Sequence, residues 1–265
     1  MKLAFIGGGV MAEAIIKGVL SASLATPDDI SVGEIQKTRR ELLLNNYGVN
    51  TTVNNEEAII NADFVILSIK PQTFDDVAII LNGNLKPNQT VLSIIAGLPL
   101  SSLTSALDHK DVIRAMPNTP AQIGEGISIW ICSPSVTPDK QDITRHLLET
   151  LGKNIQVENE EYINMATALS GSGPAYVFLF IESLIDAGVF MGLTRNMAQS
   201  LVLQTVIGST RLTQESGKHT TVLKDMVTSP GGTTAEALLA LEEGGFKSTI
   251  INAVFAAYEK SQELG

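Results

Sequence analysis

The sequence predicts an α/β protein with a doubly wound sheet in its amino-terminal part and an all-helical carboxyl-terminal domain. Short apolar runs alternate with amphipathic helical patterns up to residue 157, which is typical of βαβ units and a parallel sheet. From about residue 160 the strand signals stop, and segments with helical spacing follow one another. We therefore expect residues 1–158 to form the first domain and residues 159–265 the second.

The first strand and the turn after it are the strongest local signal. Residues 3–6 are Leu-Ala-Phe-Ile, a run typical of a strand that is buried on both faces of a parallel sheet. Three glycines follow, and Gly7, Gly9 and Ala12 match the pattern G-x-G-x-x-A. One glycine makes the tight turn, the next lets a pyrophosphate approach, and the small residue packs helix on strand. Because the pattern joins a strand to an amphipathic helix, it favours dinucleotide binding over an ordinary turn.

The remaining elements of the first domain continue the alternation of strands and helices. The predicted strands cover residues 29–32, 51–53, 63–69, 90–95, 112–115, 127–131 and 154–157. The predicted helices after the first one cover residues 41–46, 55–62, 74–81, 100–107 and 139–151. Lys70-Pro71 ends one strand, because a residue before proline is pushed away from helical geometry. Open α/β sheets bind ligands at such carboxyl ends of strands.

The residues after the second strand bear on the choice of cofactor. Glu34 lies 22 residues beyond Ala12, where an acidic side chain accepts hydrogen bonds from the adenosine ribose of NAD. Lys37, Arg39 and Arg40 follow at once, and such cations bind a 2′-phosphate. A solvated helix start with charges of both signs explains the basic residues equally well. These residues leave NAD and NADP both open.

Composition argues against several classes of function. A net charge of −10 argues against a nucleic-acid surface, since phosphate backbones need clustered Lys and Arg. A single cysteine, Cys132, excludes an intramolecular disulfide and suits a reducing compartment. We see no targeting segment and expect a cytoplasmic protein. Neither a metal-ligand spacing nor a Ser/His/Asp arrangement is evident.

The carboxyl-terminal domain contains one strongly apolar stretch, residues 176–193. A helix that is apolar on nearly every face is expected to be buried on all sides. Glu182 and Asp186 interrupt the stretch, which argues against a membrane span. A domain of about a hundred residues cannot bury this helix alone, so we expect a partner subunit to cover part of it. The predicted helical segments are residues 160–169, 175–191, 194–215, 221–227 and 233–264, the last broken at Gly244-Gly245.

Two glycine-rich loops in this domain are each followed by a predicted helix. They are residues 168–176, which include Ser-Gly-Ser-Gly-Pro, and residues 228–234, Thr-Ser-Pro-Gly-Gly-Thr-Thr. Helix starts bind anions through their N–H groups, so two such loops beside a nucleotide domain favour a small carboxylate over two plain helix caps. Ser172, Ser229 and Thr234 add hydroxyl groups. Without an evident titrating group, hydride transfer to an already protonated C=N bond suits this chain, since the protein then mainly positions donor and acceptor.

Five segments, in order along the chain, resemble the pyrroline-5-carboxylate reductase family. They are residues 5–12, 69–71, 114–121, 169–176 and 223–234. The resemblance implies reduction of 1-pyrroline-5-carboxylate to L-proline by NAD(P)H, the last step of proline biosynthesis. It implies a Rossmann-type domain and a helical domain that dimerises, with dimers that can assemble further, up to decamers. Two residues depart from the family. The family commonly has Asn where this chain has Val10, and often a small polar or basic residue where this chain has Glu34.

The motifs and the resemblance together define a candidate site without metal. The expected cofactor is NADPH or NADH, with the resemblance inclining the choice toward NADPH. The substrate carboxylate is expected on the N–H groups of residues 229–234, with the Thr234 hydroxyl toward the ring nitrogen. The expected cofactor-binding residues are Ile6, Gly7, Gly8, Gly9, Val10, Met11, Ala12, Glu34, Lys37, Ser68, Ile69, Lys70, Pro71, Met116, Pro117 and Asn118. The expected substrate-binding residues are Ser172, Gly173, Ser229, Gly231, Gly232, Thr233 and Thr234, with Thr234 and Ser229 as catalytic candidates.

Two other functions stay open at this point. A related β-hydroxyacid dehydrogenase would resemble this architecture, but such enzymes place a catalytic lysine in the first interdomain helix, and residues 160–168 contain none. The alternative from another class is a redox sensor that binds NAD(P) without turnover.

Overall fold

The computed structural model describes residues 1–263, and its internal contacts divide the chain into two compact units. Among the described residues, the first unit comprises Met1–Ser172 together with residues 257–263, and the second comprises Gly173–Ala256. The domain boundary expected near residue 159 stays a prediction. Leu264, the expected end of the last helix, and the end of the second expected domain lie outside the described residues.

The described part of the first unit contains an eight-stranded sheet with helices between most of its strands. The strands are β1 (Leu3–Ile6), β2 (Ile30–Gly33), β3 (Asn50–Thr52), β4 (Phe64–Leu67), β5 (Thr90–Ser93), β6 (Val112–Met116), β7 (Gly126–Cys132) and β8 (Gly152–Gln156). The helices are α1 (Val10–Ser21), α2 (Lys37–Tyr47), α3 (Asn55–Ile59), α4 (Phe74–Leu81), α5 (Leu100–Leu107), α6 (Pro138–Glu149) and α7 (Glu161–Ala166). The predicted elements of residues 1–158 are confirmed, with ends that differ by a few residues.

The strand order is β3-β2-β1-β4-β5-β6-β7-β8, and the neighbouring strands are parallel except for β6 and β7. The order reverses between β1 and β4, and the register places Ile6 beside both Gly33 and Leu67. The carboxyl ends of β1, β2 and β4 therefore meet at one edge, where doubly wound sheets bind ligands. Strand β7 runs antiparallel because residues 117–125 are too few for a crossover helix.

The apolar run of β1 is explained by a core on each face of the sheet. Leu3 and Phe5 belong to a cluster that includes residues of α1 and α6. Ala4 and Ile6 belong to a second cluster, which includes residues of α4 and α5. Successive side chains of a strand point to opposite faces, so a strand covered on both sides is apolar at every position.

The second unit is helical. Its helices are α8 (Gly173–Phe190), α9 (Arg195–Ser216), α10 (Thr220–Met226), α11 (Thr233–Glu243) and the first part of α12 (Phe246–Glu263). Helices α8 and α9 approach closely at Gly188, where an added Cβ would lie 2.9 Å from the Cβ of Ala198. Within residues 173–256, which are all described, Gly188 and Ala198 are the buried residues.

Large apolar side chains of the second unit are exposed in the single chain. Phe178, Leu179 and Phe190 of α8 expose 61%, 64% and 95% of their surface. The expected apolar stretch is therefore a surface of the single chain rather than a core helix within it. Length and composition alone would also allow one helical stretch among the described residues, Glu161–Phe190, to cross a membrane.

Candidate functional site

The glycine turn after β1 is held between the ends of β2 and β4. Gly7 has a left-handed φ of 95°, and a Cβ on it would lie 2.7 Å from the backbone oxygen of Ser68. Its N–H donates to the oxygen of Gly33 at 2.8 Å, and its carbonyl accepts the Ser68 hydroxyl at 2.8 Å. Only glycine fits this position, because both the φ angle and the available space exclude a side chain.

Gly9 and the start of α1 fit the pyrophosphate of a dinucleotide. A Cβ on Gly9 would meet no other described group within 4 Å, so the backbone there is open to a ligand. Gly9 is the N-cap residue of α1, and no side chain caps this helix start. Val10 is exposed and Ala12 is buried against the sheet, as the fingerprint requires of its last position. Ile6 ends β1, and Met11 is partly buried against the core.

Gly9→Ala should separate cofactor binding from folding. The φ of −69° at Gly9 suits alanine, so the free energy of unfolding should change by less than about 0.5 kcal/mol. The methyl group should still keep a pyrophosphate from the backbone and weaken NAD(P)H binding about tenfold or more. Fluorescence titration measures the cofactor affinity, and thermal unfolding measures the stability. Gly208→Ala in α9 is the control, because a Cβ there would also have no neighbour within 4 Å. Unchanged cofactor affinity in Gly9→Ala would contradict this role.

Glu34 lies directly after β2, and both of its carboxylate oxygens are hydrogen-bonded to backbone. Oε2 accepts the N–H of Gly8 at 2.7 Å, and Oε1 accepts the N–H of Gln36 at 2.7 Å. These bonds fix the carboxylate beside the glycine turn, at the position where the sequence predicts a contact with ribose.

The basic residues after Glu34 differ in what they bind. Arg39 donates to the oxygen of Gly8 and to Glu13, and Arg40 donates to the backbone oxygens of Glu34 and Ile35. These two arginines are therefore not simply solvated charges at a helix start, and that explanation is wrong for them. Lys37 is different: its side chain is 79% exposed, and its Nζ lies 3.6 Å from Glu41 in α2.

The candidate cofactor residues after β4 support the glycine turn. Ser68 donates its N–H to the oxygen of Ile6 at 2.9 Å, in addition to its hydroxyl bond to Gly7. The side chain of Ile69 would contact a Cβ on Gly7 at 2.9 Å. Lys70 is exposed, and Pro71 begins a short 3₁₀ helix, Pro71–Thr73. Lys70 is thus the member of this loop that presents a charge to solvent.

The candidate residues after β6 belong to a connecting network. Met116 ends β6, and Pro117 is buried. Asn118 donates its amide to the oxygen of Ser170 at 3.1 Å and accepts the N–H of Ile127 at 2.9 Å. Its side chain therefore joins the start of β7 to residue 170, a structural role that its motif did not indicate.

The first glycine-rich segment contains a π-helical turn, Thr167–Gly171, so the expectation of a loop that interrupts the helix is wrong. The N–H of Ser172 donates to the oxygen of Thr167 at 2.7 Å, an i to i+5 bond that continues the helical path. Ser172 therefore does not offer its N–H to an anion at a free helix start. Such turns are frequent at functional sites. The substrate contacts expected of Ser172 and Gly173 stay predictions.

The second glycine-rich loop has the expected form. Gly232 donates its N–H to the oxygen of Ser229 at 3.0 Å, and Gly231 has a φ of 69°, so residues 229–232 make a tight turn with Pro at its second position. Helix α11 then begins at Thr233 without a side-chain cap. In residues 1–263 the N–H groups of Thr233 and Thr234 and the Thr234 hydroxyl make no hydrogen bond. These groups are the helix-start donors that the sequence predicts for a carboxylate.

An ion pair between the buried Arg114 and Glu160, whose side chain is 29% exposed, was not predicted from the sequence. Arg114 in β6, whose side chain is 4% exposed, donates to Oε1 of Glu160 at 2.7 Å and to Asn164 at 3.1 Å. The same Oε1 accepts the N–H of Leu100 at 2.7 Å. Glu160 therefore connects β6, α5 and α7 within the first unit. The partners lie too far apart in the sequence for any local pattern to indicate the pair.

Cys132 is unsuited to act as a nucleophile. Burial raises the pKa of its thiol, although a hydrogen bond from Gln156 acts in the opposite direction. A raised pKa keeps the thiol protonated at neutral pH, and the thiolate is the reactive form.

Comparisons with known proteins agree with the motifs over the whole chain. Residues 160–264 match the family model for pyrroline-5-carboxylate reductase dimerisation, and residues 2–97 match that for NADP oxidoreductase, coenzyme F420-dependent. A pyrroline-5-carboxylate reductase of Synechocystis sp. is 42% identical over 265 residues, which cover 100% of this chain and 98% of the relative. The chain belongs to the pyrroline-5-carboxylate reductase family.

Other members of the pyrroline-5-carboxylate reductase family support the same assignment. The reductase of Arabidopsis thaliana is 40% identical over 263 residues, 99% of this chain and 95% of the relative. The crystal structure of the Plasmodium falciparum pyrroline carboxylate reductase with NADP bound has a TM-score of 0.92 at 35% identity and covers 100% of this chain and 98% of that one. The predicted Rossmann-type sheet and helical carboxyl-terminal domain are thereby confirmed.

Proposed function

We propose that this chain is a pyrroline-5-carboxylate reductase that transfers a hydride from NAD(P)H to the C=N bond of 1-pyrroline-5-carboxylate and releases L-proline, the last step of proline biosynthesis. The observation that carries the proposal is the similarity to such reductases over the full chain, at 42% identity over 265 residues for the Synechocystis relative. The lack of lysine in α7 disfavours a β-hydroxyacid dehydrogenase.

The cofactor would be held by the edge of the sheet where β1, β2 and β4 end. Gly9 and the first N–H groups of α1 would bind the pyrophosphate, since a helix start favours an anion. Glu34 would face the adenosine ribose, and Lys37, three residues further along the chain, has an exposed ammonium group. When bound, the reduced nicotinamide supplies the hydride. We propose that both NADPH and NADH are used, with a preference for NADPH that rests on the family.

The substrate would be held by the turn before α11. Its carboxylate would accept hydrogen bonds from the N–H groups of Thr233 and Thr234, with Ser229, Gly231 and Gly232 forming the turn around it. The Thr234 hydroxyl would hold the ring nitrogen without acting as a strong acid, since an alcohol is a poor proton donor near neutrality. The hydride adds to the carbon of the protonated C=N bond, and the bonding pair moves to nitrogen, which gives proline.

Loss of nicotinamide absorbance on adding pyrroline-5-carboxylate tests the proposed reaction. We expect turnover of pyrroline-5-carboxylate with NADPH or NADH. We expect no turnover of 3-hydroxyacids with the oxidised cofactors. Turnover of 3-hydroxyacids alone would show the dehydrogenase instead. Cofactor binding without turnover of either substrate class would show the redox sensor.

We expect a homodimer formed through the helical unit. The exposed side chains of α8, among them Phe178, Leu179 and Phe190, form an apolar surface that a second copy would cover. Light scattering at micromolar concentration should therefore find no monomer, and a stable, active monomer would disprove the expectation. Assembly of dimers up to a decamer, a cytoplasmic location, and the absence of nucleic-acid and membrane partners are parts of the same proposal.

A further inference from the structure

Gly8, the middle residue of the glycine turn, has both of its backbone polar groups bound by side chains. Its N–H donates to Oε2 of Glu34 at 2.7 Å, and its carbonyl accepts Nε of Arg39 at 2.8 Å. The residue also packs against α2, because a Cβ on it would lie 2.9 Å from Cδ1 of Leu43. The turn is thus fixed from the side of α2, and the N–H of Gly8 is already engaged.

Arg39 is itself held in place by a second set of contacts. Its Nη2 donates to Oε2 of Glu13 at 2.8 Å, and Oε1 of Glu13 accepts the hydroxyl of Tyr47 at 3.0 Å. The side chains of Arg39 and Glu13 are 21% and 24% exposed, so solvent screens this pair less than a surface pair. Burial and the bond to Glu13 raise the pKa of Tyr47, which keeps its hydroxyl a donor at neutral pH.

The contact of Arg39 sets the direction of the next peptide group. The peptide between Gly8 and Gly9 is trans, so its C=O and its N–H point in opposite directions. Arg39 binds this C=O, and the N–H of Gly9 therefore points away from Arg39. Gly9 is exposed, and a Cβ on it would meet nothing within 4 Å among the described residues, so the backbone at Gly9 is accessible to a ligand.

We propose that Arg39 is a positioning residue of the cofactor site: it holds the Gly8 carbonyl so that the N–H of Gly9 is aimed at the pyrophosphate, and it does not read a 2′-phosphate. The inference rests on the proposed function only for the class of cofactor, a nicotinamide dinucleotide.

The neighbouring cations have different tasks in this arrangement. Arg40 binds the backbone oxygens of Glu34 and Ile35, which fixes the loop after β2. Lys37 keeps a mostly exposed ammonium group, whose nearest carboxylate partner is Glu41 at 3.6 Å. Discrimination between NADPH and NADH therefore falls to Lys37 and Glu34, and Arg39 contributes to the affinity for both cofactors only by orienting the backbone that binds their shared pyrophosphate.

Fluorescence titration of the full-length protein with NADPH and with NADH, without substrate, tests this division. Arg39→Ala should weaken both cofactors by the same factor, about ten- to a hundredfold, since a hydrogen bond from a charged group is lost. Lys37→Ala should weaken NADPH and leave NADH unchanged. Arg39→Lys keeps the charge but cannot span Gly8 and Glu13 with a planar fork, so it should also weaken both cofactors equally. Thermal unfolding identifies the variants that are folded.

Three results would overturn the proposal. One is a loss of affinity in Arg39→Lys or Arg39→Ala that affects NADPH and not NADH, which would make Arg39 a ligand of the 2′-phosphate. Another is unchanged affinity for both cofactors together with a lower Tm, which would make the network purely structural. The third is a failure of Arg39→Ala to fold while Arg39→Lys binds both cofactors normally. Failure of the unsubstituted protein to bind either cofactor would count against the proposed function instead.

Discussion

Replacing Thr234 with alanine is expected to lower kcat/KM for pyrroline-5-carboxylate about ten- to a thousandfold, the usual range for losing one positioned hydrogen bond. Thr234 is the second residue of α11, and its hydroxyl has no partner among the described residues. It is therefore free to contact a substrate. The affinity for NAD(P)H, measured in a separate titration, should stay nearly unchanged.

Two further variants make the Thr234 experiment decisive. Thr221→Ala removes a threonine from the second position of α10, where helix capping belongs to His219, and should leave turnover unchanged. Thr234→Ser keeps the hydroxyl and should restore most of the lost kcat/KM. If Thr234→Ala instead lowers the Tm and keeps its turnover, the residue only packs or stabilises the helix, and the assignment is wrong.

Replacing Glu160 with alanine is expected to lower the free energy of unfolding by about 3 kcal/mol, the lower end of the effect of leaving a buried charge without its partner, because Glu160 itself is 29% exposed. The guanidinium of Arg114, with a side chain 4% exposed, would keep only Asn164, and the N–H of Leu100 would lose its acceptor. Urea unfolding measures the change.

A surface pair provides the control for Glu160→Ala. Asp142→Ala breaks the pair with Arg145, whose members are 61% and 41% exposed, and should cost at most about 1 kcal/mol. If the free energy of unfolding falls equally in the two variants, the Arg114–Glu160 pair contributes no more to stability than an exposed ion pair.

Much of the sheet could be predicted because its strands are covered on both faces. Leu3 to Ile6 of β1 are buried without exception, so the run of apolar residues marks the strand whatever surrounds it. Residue spacing likewise predicts the bounds of α4 and α5, Phe74–Leu81 and Leu100–Leu107, because each helix buries one face against the sheet. The glycine turn was predictable because both φ and space require glycine there.

The parts that could not be predicted depend on local backbone geometry or on contacts distant in sequence. Glycines in the segment around Thr167–Gly171 predict a loop, but the segment forms a π-helical turn. The hydrogen bond between Ser172 and Thr167 that makes this turn depends on backbone geometry rather than on residue type, so the sequence does not indicate it. The role of Arg39 depends on Gly8, 31 residues away, so local charge patterning could indicate only a basic segment. For the candidate site, the sequence identified the loops, and the structure showed which groups in them are already engaged.

In the proposed dimer, the scarcity of buried residues in the helical unit would make the folding of this unit depend on the protein concentration. Gly188 and Ala198 bury little apolar area, and the sheet unit, by contrast, encloses two clusters of its own. In the proposed dimer the helices of one chain gain most of their burial only when a second chain arrives, so this part of the molecule folds in a bimolecular step. Dilution then favours unfolding of the helices while the sheet stays intact. A cell that makes little of this protein would therefore hold a larger fraction of it with an intact cofactor domain and an unassembled helical unit.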